Sequence, residues 1–306
     1  MNFYVTILGS GAAIPTLGRH CSAQVVNING CHMIVDCGES TQNQLRATRQ
    51  KMQAFDTIFI SHLHGDHIFG LPGLLASMHL CGRTEAVDIY APKGLKRAMD
   101  VLFEISDTRL GYALNIHELE LDEPTEIFSN KKCRVTAFPL FHSVPCYGYR
   151  FEETVAGRGL LPGVRERYQL APVDIELLKQ GRDLTLPDGT VVPNQQLTHP
   201  PRRPLSYAYC CDTAYTETIL PAIQGVDLLC LESTFDHTLT DLAEQRRHCT
   251  AQQAAQLAQR AEVRKLMLTH FSARYKVIEE LMSEAQAVFP NTIAAQDGEV
   301  ITVDRK

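Results

Sequence analysis

No apolar run in this 306-residue chain approaches the ~20 residues a membrane-crossing helix needs. That excludes a helical membrane protein. No basic leader precedes the first apolar stretch: "MNFYVTILGSGAA" breaks at glycine after a few apolar residues and reads as a first strand, not a signal peptide. Positive charge is not in excess, with 29 Lys and Arg against 35 Asp and Glu and a net charge of −6. No overall basic field therefore draws the chain to nucleic acid, although a local patch is compatible with that balance. The ten cysteines include no C-x-x-C pair. Their scatter fits reduced, buried thiols of a cytosolic protein rather than a disulfide framework, and their spacings do not suit a thiolate zinc site. No short-period repeat or long biased tract is present. At 44% hydrophobic and 21% charged residues the chain is an ordinary globular protein, long enough to bury a full core.

What is present is a series of short β-rich runs. "FYVTILG", "SAQVVNI", "CHMIVDCG", "DTIFIS", "AVDIYAP", "KCRVTAFPLFH" and "PCYGYRFE" fall in the first half, and "LSYAYCCD", "VDLLCLES", "VRKLMLTHF", "NTIAAQ" and "EVITVDR" in the second. "ESTQNQLRATRQKMQAF", "IFGLPGLLASMHL", "KGLKRAMDVLFEIS", "TAQQAAQLAQRAE" and "KVIEELMSEAQAVF" carry helical patterns. Over 1–306 the chain could make one large domain or two small ones, and strand-rich halves with helices outside suggest two sheets packed face to face and flanked by helices. The Gly- and Pro-rich stretch 153–203 stands apart, with a hairpin expected around Asp188-Gly189 in "LTLPDGTVV". A loop this long is usually functional or disordered, and on composition alone it is equally a tolerated surface insertion.

The chemistry concentrates in "SHLHGDH". His62 and His64 lie two apart after a strand-like run and project to one side of extended backbone. Gly65 permits a sharp turn that brings Asp66 and His67 to the same point. A lone histidine is usually structural; four ligand-type side chains in six residues are not. Imidazole and carboxylate suit zinc, with manganese or iron as alternatives. Four such groups exceed what one tetrahedral ion takes from a single loop, so two ions are expected. His142, Asp212 and His270 each end an apolar run and complete five histidines and two aspartates. With Asp212 bridging, one ion would take His62, His64 and His142, and the other Asp66, His67 and His270. Two ions ~3.5–4 Å apart clamp a phosphate or carbonyl and activate water.

"SHLHGDH", followed in order by His142, Asp212 and His270, resembles the signature of the metallo-β-lactamase superfamily. That resemblance implies an α/β fold, the four-layer αβ/βα sandwich with metals at one edge. Taken alone it leaves lactamases, glyoxalases, sulfatases and phosphodiesterases open. Further motifs are similar to the ribonuclease Z family in its short form: "ILGSGAAIPT", "VDCGESTQNQL" (Ser40 where the family has glycine) and "THFSARY". "LESTF" resembles the family's His-Glu-Ala-Thr loop with Glu232 kept, and "HCT" its His-Ser-Thr loop with His248 kept. The resemblance covers nearly the whole chain.

It implies a zinc-dependent cytoplasmic endoribonuclease, with two Zn2+ per subunit, that removes the 3′ trailer from precursor tRNA and leaves a 3′-hydroxyl. Asp66 would serve the water as well as a metal, and His248 with Glu232 the leaving oxygen; alone, His248 would read as a surface residue at a helix start. The stretch 153–203 would be an exosite arm that holds tRNA, and the protein a homodimer with no membrane partner. Arg19, Ser272 and Arg274 are the substrate-binding candidates. In the substrate loop "PTLGRH", Pro15 and Arg19 match the family, whereas Leu17 replaces a lysine and His20 ends it. Two other readings remain: a phosphodiesterase of the same fold acting on small phosphodiesters or general RNA 3′ ends, and a nucleic-acid-binding protein with a structural metal.

Overall fold

Both faces of the early strands are apolar, and that dictates burial between two layers. In the structure, a computed structural model describing residues 3–154 and 157–305, the apolar runs form two seven-stranded sheets. The strands of the first are β1 (Phe3–Gly9), β2 (Ala23–Ile28), β3 (Cys31–Cys37), β4 (Thr57–Phe59), β5 (Val87–Pro92) and β6 (Leu114–Leu119). Those of the second are β7 (Thr125–Ser129), β8 (Cys133–Pro139), β9 (Tyr147–Glu153), β10 (Ser206–Cys210), β11 (Leu228–Glu232), β12 (Leu266–Thr269) and β13 (Thr292–Ala294). The final strand, β14 (Val300–Thr302), returns to the first sheet and pairs antiparallel with β1. The sheet orders are β14-β1-β2-β3-β4-β5-β6 and β13-β12-β11-β10-β9-β8-β7. Each changes from antiparallel to parallel pairing partway across, at β3–β4 and at β10–β11.

Alternation along each strand divides its side chains between two cores. Val26, Met33, Val35 and Phe59 face the second sheet and meet Tyr149, Phe151, Tyr207 and Tyr209. Their neighbours Val25, Ile34 and Ile58 face outward, against Leu45 of helix α1 (Thr41–Ala47), Leu71, Leu74 and Leu75 of a later helix, and Met99. The second sheet buries Leu229, Leu231, Leu266 and Leu268 against the alanine face of Ala251–Arg260 and against Leu281 and Ala285. The result is the expected helix–sheet–sheet–helix sandwich. No helix among the described residues is long and apolar enough to cross a membrane.

The sheets do not follow the halves of the chain: β7, β8 and β9 already belong to the second sheet, and β14 crosses back to the first. Two expectations are corrected. The helix expected over 39–55 stops at Ala47. Thr48 Oγ1 donates to the Gln44 carbonyl (2.7 Å), Arg49 turns left-handed (φ 58°), and a short 3₁₀ turn at Met52–Ala54 follows. The helix expected from Ile68 to Leu80 is two helices, α2 (Gly65–Ile68) and α3 (Leu71–Leu80). Gly70 interrupts them because its amide donates to the Cys37 carbonyl at 2.9 Å.

The chain divides into two compact units, Met1–Glu152 with Leu205–Lys306, and Glu153–Pro204. The second is not a structureless loop. Val164, Leu170, Leu178, Leu184 and Leu197 form a small core of its own. The pair Leu184–Thr185 and Val191–Val192 makes a hairpin through Asp188-Gly189, where Gly189 takes the left-handed conformation (φ 86°). Buried Asn194 donates through Nδ2 to the Leu178 and Arg182 carbonyls, each at 2.8 Å.

One close approach in the larger unit sets the position of the histidine loop. A Cβ on Gly38 would stand 2.3 Å from the Asp66 carbonyl oxygen and 2.6 Å from Cys21 Cβ. Backbone cannot yield there cheaply. Gly38→Ala is therefore expected to lower stability by about 1–3 kcal/mol in urea unfolding. It should also weaken metal retention, because the displaced segment carries Asp66. Wild-type values for both would show the contact to be incidental.

Candidate active site

β4 ends at Phe59, and Tyr90 of the neighbouring β5 takes one more amide, that of Ile60 (2.8 Å). The next backbone amide, Ser61, donates instead to Asp36 Oδ1 (2.7 Å). The chain therefore leaves the sheet at His62, and α2 begins within three residues. All seven predicted ligands converge at this edge. His62 Nε2 lies 3.0 Å from His64 Nδ1, which lies 3.3 Å from His142 Nε2. Asp212 Oδ2 faces this set, 3.6 Å from His62 Nε2 and 3.8 Å from His142 Nε2. The other oxygen, Oδ1, lies 3.4 Å from His67 Nε2 and 3.1 Å from His270 Nε2. Asp66 Oδ2 stands 3.5 Å from both of those nitrogens.

These separations test whether metal ions fit. Ligand atoms ~2.0–2.1 Å from a tetrahedral ion lie about 3.3–3.4 Å from one another, and the distances above cluster around that value. Nε2 of His67 and of His270 are buried without a hydrogen bond of acceptable geometry, although carboxylate oxygens stand nearby. Buried polar atoms of that kind normally have partners; a cation would supply them. Burial pushes His62 and His142 below the ordinary imidazole range, toward the neutral form that binds metal. Burial opposes charge on His67 too, but Asp36 and Asp212 outweigh it and raise the group well above its usual value. Carboxylates able to hold a proton there can hold a cation. The second set could also include Cys211, whose Sγ is close enough. Burial pushes that thiol well above its ordinary range, and it donates to Asp212 Oδ1 (3.2 Å), so Asp66 is the better donor.

The groups behind the ligands fix their orientation. Asp36 Oδ2 accepts from His67 Nδ1 (2.7 Å), Ser61 Oγ (2.8 Å) and Tyr209 OH (2.7 Å). His142 Nδ1 donates to the Arg247 carbonyl (3.0 Å), and Arg247 Nη1 donates back to the His142 carbonyl (2.6 Å). His270 Nδ1 pairs with Thr234 Oγ1 (2.9 Å), which donates to Glu232 Oε2 (2.6 Å). Each of these histidines thus directs Nε2 toward the cluster. Asp212 and His270 both adopt left-handed backbone (φ 62° and 59°), a strain typical of functional sites.

His248 and Glu232 belong to the same site. His248 Nδ1 lies 2.8 Å from Glu232 Oε1. Burial resists protonation of His248, but the Glu232 charge and hydrogen bond raise its pKa to about 9. Glu232 itself is buried and held by the Thr213 amide (2.7 Å). A cleft of about 650 Å³ opens over the cluster, lined by His64, Asp66, His142, His248, Ser272 and Arg274 among others. Arg274 lies over the Phe235 ring (4.7 Å) and donates to Ser272 Oγ (3.2 Å). Arg19 is elsewhere. It stacks on Phe271 (5.0 Å) and lines a separate cleft with Leu17, Lys276 and Asp297. Sequence reasoning gave no role to Asp36, Thr234 or Arg247. Asp36 had a signal, an acid closing the apolar run "CHMIVD"; Thr234 and Arg247 are recognisable only in three dimensions.

Two sheets with a histidine–aspartate cluster at their edge define a hydrolase of the metallo-β-lactamase fold. The structure superposes on human tRNase Z, short form (ELAC1), with a TM-score of 0.71 and 28% identity, covering 99% of this chain and 100% of that one. It also superposes on the metallo-β-lactamase fold protein YhfI from Bacillus subtilis, with a TM-score of 0.70 and 19% identity, covering 99% of this chain and 100% of that one. Residues 3–156, just over half of the chain, match the family model described as anti-Pycsar protein Apyc1, and by that span it belongs with that family. Over its whole length it is 41% identical to ribonuclease Z of Bacteroides thetaiotaomicron, covering 99% of this chain and 96% of the relative. Identity to ribonuclease Z of Synechococcus sp. is 40%, covering 96% of each. The chain belongs to the ribonuclease Z family, the metal-dependent endoribonucleases of tRNA 3′ processing.

The Asp36 contacts predict a measurable dependence. In Asp36→Asn the His67 Nδ1 proton loses its carboxylate acceptor. Metal affinity, read by competition with a chelator, should fall ~10–100-fold. Unchanged affinity would remove Asp36 from the site's support.

Proposed function

We propose that the protein is a dinuclear zinc enzyme that cuts the 3′ trailer from precursor tRNA in the cytoplasm, acting as a homodimer. The observation that carries this reading is His248, backed by buried Glu232, in the same cleft as Asp212, whose two oxygens face two separate histidine sets. His62, His64 and His142 would hold one ion, and Asp66, His67 and His270 the other, with Asp212 shared. Bound ions would polarise the scissile phosphate and acidify a water between them.

The chain's own groups do the rest. Asp66 Oδ2 accepts the Ala13 amide (2.8 Å), which fixes a carboxylate where it can orient the attacking water. His248, with Nδ1 engaged by Glu232, keeps Nε2 to protonate the departing ribose 3′ oxygen. The Glu232 charge holds that proton in place to higher pH than an ordinary imidazole would. Ser272 and Arg274, at the cleft wall, suit the terminal phosphate. The seven proposed ligands all lie outside Glu153–Pro204, so that unit is free to serve as the clasp for the body of the tRNA.

The leaving-group role is the most exposed part. Proton donation is typically worth ~10²–10⁴-fold, and nitrophenolate needs none. His248→Ala should therefore slow precursor-tRNA cleavage by ~10²-fold or more. Hydrolysis of bis-p-nitrophenyl phosphate should fall far less, with metal content retained. Equal losses on both substrates would refute the assignment.

The clasp makes a separate prediction. Replacing 153–203 with a short Gly/Ser linker should spare hydrolysis of the small ester and strongly weaken precursor-tRNA binding, measured by titration. Wild-type tRNA cleavage by that variant would sink the exosite reading.

A further inference from the structure

Two hairpin tips meet at the ends of strands that run away from the metal edge. Cys31 opens β3 immediately after the turn at Asn29-Gly30, and Cys133 opens β8 immediately after the turn begun by Asn130. β3 ends next to Asp36, and the chain after β8 leads to His142. Both thiols are thus a seven-residue strand, about 20 Å, from the ligands. They belong to different sheets yet share one core, with Cys133 fully buried and Cys31 half-buried against it. Asn130 touches both sulfurs: its Nδ2 donates to Cys31 Sγ (3.4 Å), and Cys133 Sγ donates to its Oδ1 (3.7 Å).

We infer that Cys31 and Cys133 are a redox-active pair that closes into a disulfide across the two sheets when a small-molecule disulfide of the glutathione type is present. The roles follow from the surroundings. Cys31 is the accessible member. The Cys133 thiol, the Asn130 amide and the Lys132 charge favour its thiolate against burial, whereas Cys31 and burial together keep Cys133 protonated. Among the described residues Cys31 is the one thiol shifted downward; the buried cysteines at 21, 37, 146, 210, 211, 230 and 249 are all shifted upward. Thiolate character and access together select the attacking sulfur.

The exchange balances. The Cys31 thiolate attacks one sulfur of the small disulfide, forming a mixed disulfide and expelling one small thiolate. Cys133 then loses its proton and attacks Cys31 Sγ, expelling the second. Two protein thiols give up two electrons and two protons, and one small disulfide becomes two thiols. The closed bond would tie the first sheet to the second across the whole segment between the tips. It would therefore act on unfolding more than on catalysis.

The test uses the full-length metal-loaded protein carrying Cys81→Ser, which removes the exposed thiol. Oxidised glutathione should lower the intact mass by two hydrogens, and a non-reducing peptide map should join the Cys31 and Cys133 peptides. The thermal midpoint should rise by roughly 5 °C or more and return on reduction. Cys133→Ser should stop at a stable glutathionyl adduct on Cys31, and Cys31→Ser should take up none. Failure to lose two hydrogens, a link between other cysteines, or a Cys133→Ser variant that takes no adduct would overturn the pairing. A bond that forms without raising the midpoint would overturn its bracing role.

Discussion

The site depends on one carboxylate held between two groups of histidines. Asp212 sits at the end of β10, almost wholly buried, with its two oxygens aimed at different imidazole sets. Such a group is costly to bury unless its charge is met. Burial opposes ionisation here, and His270 and His67 override it, holding Asp212 well below the usual carboxylate range. The left-handed backbone at Asp212 turns the chain off the strand at the point where both oxygens can face inward. A longer carboxylate or an amide would change charge, reach or both, so the position tolerates little.

Everything that surrounds Asp212 comes from strand ends. Asp36 lies one residue before the end of β3, Ser61 and His62 follow β4, Asp212 follows β10, Glu232 closes β11 and His270 follows β12. Parallel neighbours in a twisted sheet end side by side, which brings residues distant in sequence to one edge. β10, β11 and β12 are such neighbours, in parallel register, and they deliver Asp212, Glu232 and His270 in order. The aromatic core between the sheets then sets how far the two edges stand apart. Tyr209 makes the connection explicit, because its ring packs in that core while its hydroxyl donates to Asp36.

Much of this was legible in the chain. Apolar runs ending in His, Asp or Glu mark strand ends in a metal-binding sandwich, and "SHLHGDH" shows two ligand directions separated by a glycine. The seven candidate ligands, which the fold brings to one edge, could be read that way because each sits next to a β-rich run. The positioning groups could not. Thr234 and Arg247 act through a hydroxyl and a backbone carbonyl, which leave no compositional trace. Helix lengths failed for a related reason. The ends at Ala47 and Ile68 are set by a back-bonded threonine and by a glycine pressed against a neighbouring strand, and periodicity sees neither. The division of strands between sheets was also hidden, since β14 pairs with a partner almost the full chain away.

The same accounting explains why the site and the fold are coupled. Asp36, Asp66, Asp212 and Glu232 bring four acidic side chains to one edge, three of them almost fully buried. In the folded chain they are opposed by imidazoles that burial pushes toward neutrality or that carboxylates pull toward protonation. That balance leaves Nε2 of His67 and His270 unsatisfied. Divalent cations would resolve both problems at once, by neutralising the carboxylates and accepting the nitrogen lone pairs. Ion binding at this edge therefore adds to the free energy that holds the two sheets in register. His248 is the exception that makes chemistry available. Its partner Glu232 is tied to the Thr213 amide and the Thr234 hydroxyl rather than shared between the histidine sets. With its pKa raised to about 9, the imidazole would keep a proton beside the candidate ligands rather than join them.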